Sequence, residues 1–152
     1  MSPDFIGIDA VRAWIMSEVV KPNTLINLLD NMIYQGRILY LLRESIPGVK
    51  DYMIHRYSEE QLGWCRENEG AMWKYLIENE LLYSGDHILI SRLTNEAPFV
   101  REFGRESPGR AGSWIGFRIV ESYMKKTGSR VIDLVKNQDT KTILSESRYR
   151  PY

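Results

Sequence analysis

The stretch GRAGSWIGFRIVESYM places Gly112 and Gly116 four residues apart inside an otherwise apolar helical pattern. Ser107-Pro108 offers an N-cap and a first-turn proline for this helix, and Gly128 offers its end. Each interior glycine costs about 1 kcal/mol of helix stability relative to alanine. The compensation that physical chemistry offers is close approach of another backbone, so Gly112 and Gly116 are read as helix-packing positions. A chain that spends two glycines this way commits this apolar stripe to helix-on-helix contact.

The rest of the sequence reads as helices to match. Ile8, Val11, Ile15 and Val19 recur at helical spacing, and Pro22 is expected to end that helix by disfavouring the helical state at Lys21. Thr24 is the expected cap of a second helix whose stripe includes Leu25, Leu28, Leu29, Met32, Gly36, Leu39 and Tyr40, stopped by Pro47-Gly48. Ser58-Glu59-Glu60-Gln61 is a capping box, and Tyr57 with Leu62 supplies its hydrophobic staple. That third helix is expected to reach about Leu82, before Ser84-Gly85-Asp86. HILISRL (87–93) fits a short helix or a strand, and helix is favoured because no partner strand is visible. Two short helices near 129–136 and 139–147 complete an all-α domain. No internal repeat, low-complexity tract or second domain is visible, so the chain is read as a single domain over 1–152.

Composition excludes several classes of function. Hydrophobic residues at 43% and charged residues at 26% give a globular balance. Twenty basic residues cancel twenty acidic ones, so no net field draws the chain to nucleic acid or anionic lipid. Lys125-Lys126 is read as a solvated helix end. No apolar run approaches the roughly 18 residues of a membrane span. The single cysteine, Cys65, cannot form an internal disulfide and is read as a core residue.

Catalytic signatures are few. There is no G-x-S-x-G elbow, and the glycines of the fourth helix are not followed by the Lys-Ser/Thr of a P-loop. His55, in the polar segment IHRYS, and His87, after Gly85-Asp86, are read as surface-loop residues because neither has a second histidine at ligand spacing. Met16, Met32 and Met72 are read as core filler. Two charges stand out instead. Glu69 interrupts the face formed by Leu62, Cys65, Met72, Trp73 and Leu76, and Arg118 lies one turn from Ala111, Trp114 and Ile115. A buried charge needs a partner, so a Glu69–Arg118 pair inside the bundle is the expected architecture. The functional alternative is that the two line a cleft and grip a polar ligand.

The runs TLINLLDNMIYQGRILYLL, EEQLGWCRENEGAMWKYLIENELLYS, NEAPF and ESPGRAGSWIGFRIVESYMKK resemble the C-terminal half of GldB-related gliding-motility lipoproteins. The most specific of these is the S-P-G-R-x-G-x-W-I-G-x-x-I-V run at 107–120. The same segments are similar, more distantly, to predicted zinc peptidases of the gluzincin type, in which an H-E-x-x-H helix precedes one carrying a metal-binding Glu followed by Gly. On that pattern Ser17, Lys21 and Gln35 occupy the ligand positions, Glu18 the base position and Gly36 the glycine. A hydroxyl is a poor zinc ligand, an ammonium repels the cation, and a glutamine lacks the anionic oxygen. Without the metal, Glu18 has no bound water to activate.

The resemblance therefore implies the helical part of a zincin-like fold without peptidase chemistry. It implies no catalytic residue, no metal and no cofactor, and a non-catalytic interaction module of the bacterial cell envelope supporting gliding motility or secretion. The partner is another protein of unknown identity, such as a second envelope protein. Two alternatives stay open: a metal-dependent hydrolase whose ligands lie elsewhere or in a missing N-terminal part, and a peptide-binding module that kept the ancestral cleft. The opening MSPDF lacks the basic start and apolar run of a secretory signal. Periplasmic or lipid-anchored localisation is thus expected if the chain is a processed fragment, the C-terminal part of a longer protein.

Overall fold

The structure is a computed structural model that describes residues 3–20 and 24–151. Helix α1 (Pro3–Trp14) runs into a five-residue π-helical turn, Ile15–Val19. Then follow α2 (Leu28–Ser45), α3 (Asp51–His55), α4 (Glu59–Glu78), α5 (His87–Thr94), a 3-10 turn (Arg101–Phe103), α6 (Ala111–Thr127), α7 (Val131–Lys136) and α8 (Thr140–Ser147). Among the described residues there is no strand, only an isolated bridge between Val100 and Gly104. The fold is all-α.

The centre is the crossing of α2 and α6, the most extensive contact between any two elements. A Cβ added at Gly116 would overlap the backbone carbonyl of Met32, and one added at Gly36 would overlap the backbone of Gly116. One turn earlier, a Cβ at Gly112 would sit 2.6 Å from the carbonyl oxygen of Leu93 in α5. The two glycines of α6 thus meet two different neighbours. The close crossing brings Leu28, Leu29, Met32, Ile33 and Ile38 of α2 against Ile115, Ile119 and Val120 of α6, all fully buried. Helix α8 lies along α6, and α4 packs on α6 beside it.

Helix boundaries follow local capping chemistry, and several differ from the sequence expectation. Asn27, and not Thr24, caps α2: its side chain accepts from the Asp30 amide at 2.8 Å, while Asp30 accepts in return from the Ile26 amide at 2.9 Å. Leu25 consequently precedes the helix. Ser58 and Gln61 make both bonds of the capping box on α4, with Tyr57 and Leu62 buried beside it. Helix α4 stops at Glu78, short of Leu82, because Glu80 turns left-handed (φ 53°). The Leu81 and Glu80 amides then bond the Leu76 and Ile77 carbonyls, a Schellman closure.

Ser107 does not cap α6. Its hydroxyl accepts from the Val100 amide at 2.9 Å and donates to the Gly104 carbonyl at 2.6 Å, tying off the preceding loop. Arg110, left-handed at φ 60°, delays the helix to Ala111. Gly109 is pressed against the backbone of Ala97, and its carbonyl receives the Tyr57 hydroxyl at 2.6 Å. The HILISRL segment is helical, capped by Asp86. The α-helical part of the first helix ends at Trp14 and continues as the π turn; Pro22, its expected terminator, lies outside the described residues.

Two readings of single residues are corrected. His55 is not on a surface loop: it ends α3, is only 5% exposed, and packs edge-on against Phe117 at 4.9 Å. The left-handed Arg56 (φ 58°) reverses the chain after it and holds the ring inward. Met16 points outward from the π turn, whereas Met32, Met72 and Cys65 are buried. Arg37, unremarked in the sequence, is buried and donates to the Leu134 and Val135 carbonyls at 3.2 and 2.6 Å. Those carbonyls belong to the C-terminal turn of α7, where a cation is favoured.

Candidate functional site

Glu69 and Arg118 do meet, on the flank where α4, α6 and the segment after α8 converge. Arg118 Nε donates to Glu69 Oε2 at 3.0 Å, and the Tyr149 hydroxyl donates to the same oxygen at 2.7 Å. The Tyr149 ring is fixed edge-on against Trp73, which α4 places one turn beyond Glu69. Arg118 Nη1 reaches Glu121 Oε1 at 2.5 Å, and Arg43 of α2 takes the other Glu121 oxygen at 2.6 Å. Arg43 also lies over the rings of Tyr40 and Phe117. The result is a chain of alternating charges, Arg43–Glu121–Arg118–Glu69, ending on a tyrosine hydroxyl.

The sequence reading placed the pair inside the bundle, and the structure places it at the bundle's edge. The Glu69 side chain is 12% exposed and that of Arg118 is 39% exposed. One face of the guanidinium lies over Trp114, and the remainder opens on solvent. Burial works against the charge on Arg118, but the bond to Glu69 outweighs it and moves its pKa up. Burial first, and then the neighbouring Glu69 carboxylate, raise the Tyr149 phenol, so it remains a donor across the physiological range. The three inner members, Glu121, Arg118 and Glu69, are each held by two others, which fixes the rotamers of a polar surface.

That surface is one wall of a groove of about 250 Å³. Lys125 and Lys126, from the last turn of α6, and Arg148 and Arg150, after α8, form the rest of its charged lining. Among the described residues none of these four has a carboxylate within ion-pair distance. Glu69 and Glu121, the groove's two acids, are already taken by arginines. The groove therefore carries a local positive excess on a chain whose formal charge is zero. Such a site is suited to attracting an anion. Neither glutamate is placed as a free general base, because each accepts from a guanidinium.

The motif positions lie elsewhere. Ser17 and Glu18 are exposed on the π turn, with the Ser17 hydroxyl directed to the Trp14 carbonyl at 3.4 Å. Gln35 faces inward on α2 and accepts from Arg12 at 3.1 Å. Lys21 lies outside the described residues. Among the described residues no group of three His, Cys, Asp or Glu side chains is poised to hold a metal. Sequence reasoning missed Arg43, Glu121 and Tyr149. Glu121 carried a legible signal, sitting three residues after Arg118 on the same helix face; Tyr149 carried none, because only the return of α8 along α6 brings it to Glu69.

Comparison with known proteins gives one match. The family model described as "Gliding motility protein GldB" covers residues 1–151. No curated protein and no solved structure matches the chain.

Proposed function

Because the chain belongs to the gliding motility protein GldB family, and is thereby a gliding-motility-related protein of the cell envelope, we propose that it acts there by binding and not by catalysis. In this reading the groove between α6 and the C-terminal segment receives an acidic segment of a partner protein. The observation that supports it most is the division of labour among the groove's charges. The carboxylates are spent on Arg43 and Arg118, which fixes the wall, while Lys125, Lys126, Arg148 and Arg150 remain available to a ligand. Arg148 and Arg150 supply planar donors that match carboxylates, and the lysines supply diffuse attraction. No helix of the described residues is long and apolar enough to cross a membrane.

The substitutions at Ser17, Lys21 and Gln35 support the non-catalytic half of the proposal, since none is a competent zinc ligand on the resembled pattern. The test is complementation of a strain lacking the gene. Lys126→Glu with Arg148→Glu should accumulate as a folded protein to the parent's level and fail to restore gliding. Full restoration by that variant would overturn the binding half. About one zinc per purified chain, with peptide-hydrolysing activity lost on chelation, would overturn the non-catalytic half.

A further inference from the structure

A second polar cleft lies away from the groove, where α1, α3 and the loop before α6 meet. Arg12, Gln35, His55, Tyr57, Arg110 and Ser113 line it. Three of these have spent their hydrogen bonds on the protein. Gln35 accepts from Arg12, Tyr57 donates to the Gly109 carbonyl, and Ser113 donates to the Thr94 carbonyl at 2.9 Å. Two atoms have not: His55 Nε2 and Arg110 Nε are both fully buried and have no hydrogen-bond partner. A buried polar group left unsatisfied costs about 1–3 kcal/mol, so two in one small cleft call for an explanation.

Charge points the same way. No carboxylate lines the cleft. Asp9, which neighbours Arg12 on α1, is paired with Arg56. Burial first, and then the neighbouring Arg110 guanidinium, lower the Arg12 pKa. His55 is pushed down to about 3, first by burial and then by Arg110 and Arg12. A neutral imidazole can carry its proton on Nε2, so both unsatisfied atoms can act as donors toward one acceptor. Arg110 is held in this position by a left-handed backbone, a conformation that a non-glycine residue adopts at a cost.

The space available is small. The cleft encloses about 10 Å³, room for one water-sized atom and not for a phosphate. We propose that the Arg12–His55–Arg110 cleft binds a carboxylate, which inserts one oxygen between the His55 Nε2 and Arg110 Nε donors and leaves the rest of its molecule outside. A guanidinium and an imidazole donating to one oxygen, with the Arg12 guanidinium also in the wall, favour an anion over water, and space for one water-sized atom favours a carboxylate oxygen over the larger chloride. The cleft and the basic groove share no residue, so this site stands or falls independently of the groove.

The probe is sodium formate, titrated into the full chain at constant ionic strength while the His55 imidazole nitrogens are followed by NMR. Formate should shift the His55 Nε2 resonance saturably and raise the His55 pKa from its low value by at least one unit. Arg110→Asn, which suits the left-handed backbone, should weaken formate binding at least tenfold, and Arg12→Gln, on a separate helix, should weaken it as well. The proposal is overturned if formate gives no saturable shift, if chloride alone gives the same shift, or if both variants bind formate as the parent does. Should one variant fail to fold, the other and the chloride comparison still decide the matter.

Discussion

Replacing Gly116 by alanine adds one methyl group at the point where α2 and α6 cross. On an open helix that change is favourable by about 1 kcal/mol, because alanine loses less backbone entropy than glycine. Here the new Cβ would overlap the Met32 carbonyl, which is backbone and cannot swing aside. Restoring ordinary contact requires the two helices to part by roughly 1.5 Å, and a gap of even 0.5–1 Å forfeits a quarter to a half of each dispersion contact beside it. Leu29, Ile33, Ile115 and Ile119 flank the crossing and would all be loosened. Overpacking of this kind typically costs about 1–3 kcal/mol. With a backbone as the obstacle we place the net loss near 3 kcal/mol, after the helix-propensity gain. Gly63 in α4 is the internal control: nothing lies within 4 Å of its added Cβ, so Gly63→Ala should gain about 0.5–1 kcal/mol. In urea unfolding, with a slope of about 2 kcal/mol/M, the midpoint should fall by about 1.5 M for Gly116→Ala and rise by about 0.3–0.5 M for Gly63→Ala. Equal shifts of the same sign for the two variants would refute the reasoning.

Three further outcomes are expected. Because Arg118 is partly solvated, Glu69→Gln or Arg118→Met should cost only about 1–2 kcal/mol, less than a fully buried pair would lose, and the double variant should recover part of that in a urea double-mutant cycle; strictly additive losses would deny the coupling. His55 is neutral when folded and has a depressed pKa of about 3, so its stabilising contribution is complete above pH 6.5 and is lost as pH falls toward 3. In carboxylate-free buffer, His55→Phe should therefore lose about 2 kcal/mol less than the parent between pH 8 and pH 5, as read by urea midpoints at each pH; parallel pH profiles would contradict a buried neutral imidazole. Burial pushes the Cys65 thiol up to about 12, so at pH 8 a thiol-specific disulfide reagent should react at least about a hundredfold more slowly than with unfolded chain; prompt reaction in the native state would place Cys65 outside the core.

The parts of the fold that were legible in the sequence are those fixed by short-range chemistry. The capping box at Ser58–Gln61 and the end of α6 at Gly128 each depend on residues a few positions apart. Glu69 and Arg118 were visible because a charge inside an apolar stripe breaks helical periodicity. Boundaries decided by distant contacts were not legible. Ser107-Pro108 has the form of a helix start, yet the helix waits for Ala111 because Tyr57, fifty-two residues away, anchors the Gly109 carbonyl. His55 sits in a polar-looking segment and is buried by Phe117, a contact that no local pattern encodes. The groove belongs to the same class. Lys125-Lys126 reads as an ordinary basic helix end, and only the return of α8 sets Arg148 and Arg150 beside it.

The central claim, that the basic groove is a binding surface for acidic segments, is tested most directly by titrating the full chain into a fluorescein-labelled glutamate-rich decapeptide and reading anisotropy. Binding should be saturable, should weaken as salt screens the charges, and should fall at least tenfold in Lys126→Glu with Arg148→Glu, with the peptide recovered intact by mass spectrometry. Equal affinity in the charge-reversed variant, or recovery of cleaved peptide, would contradict it.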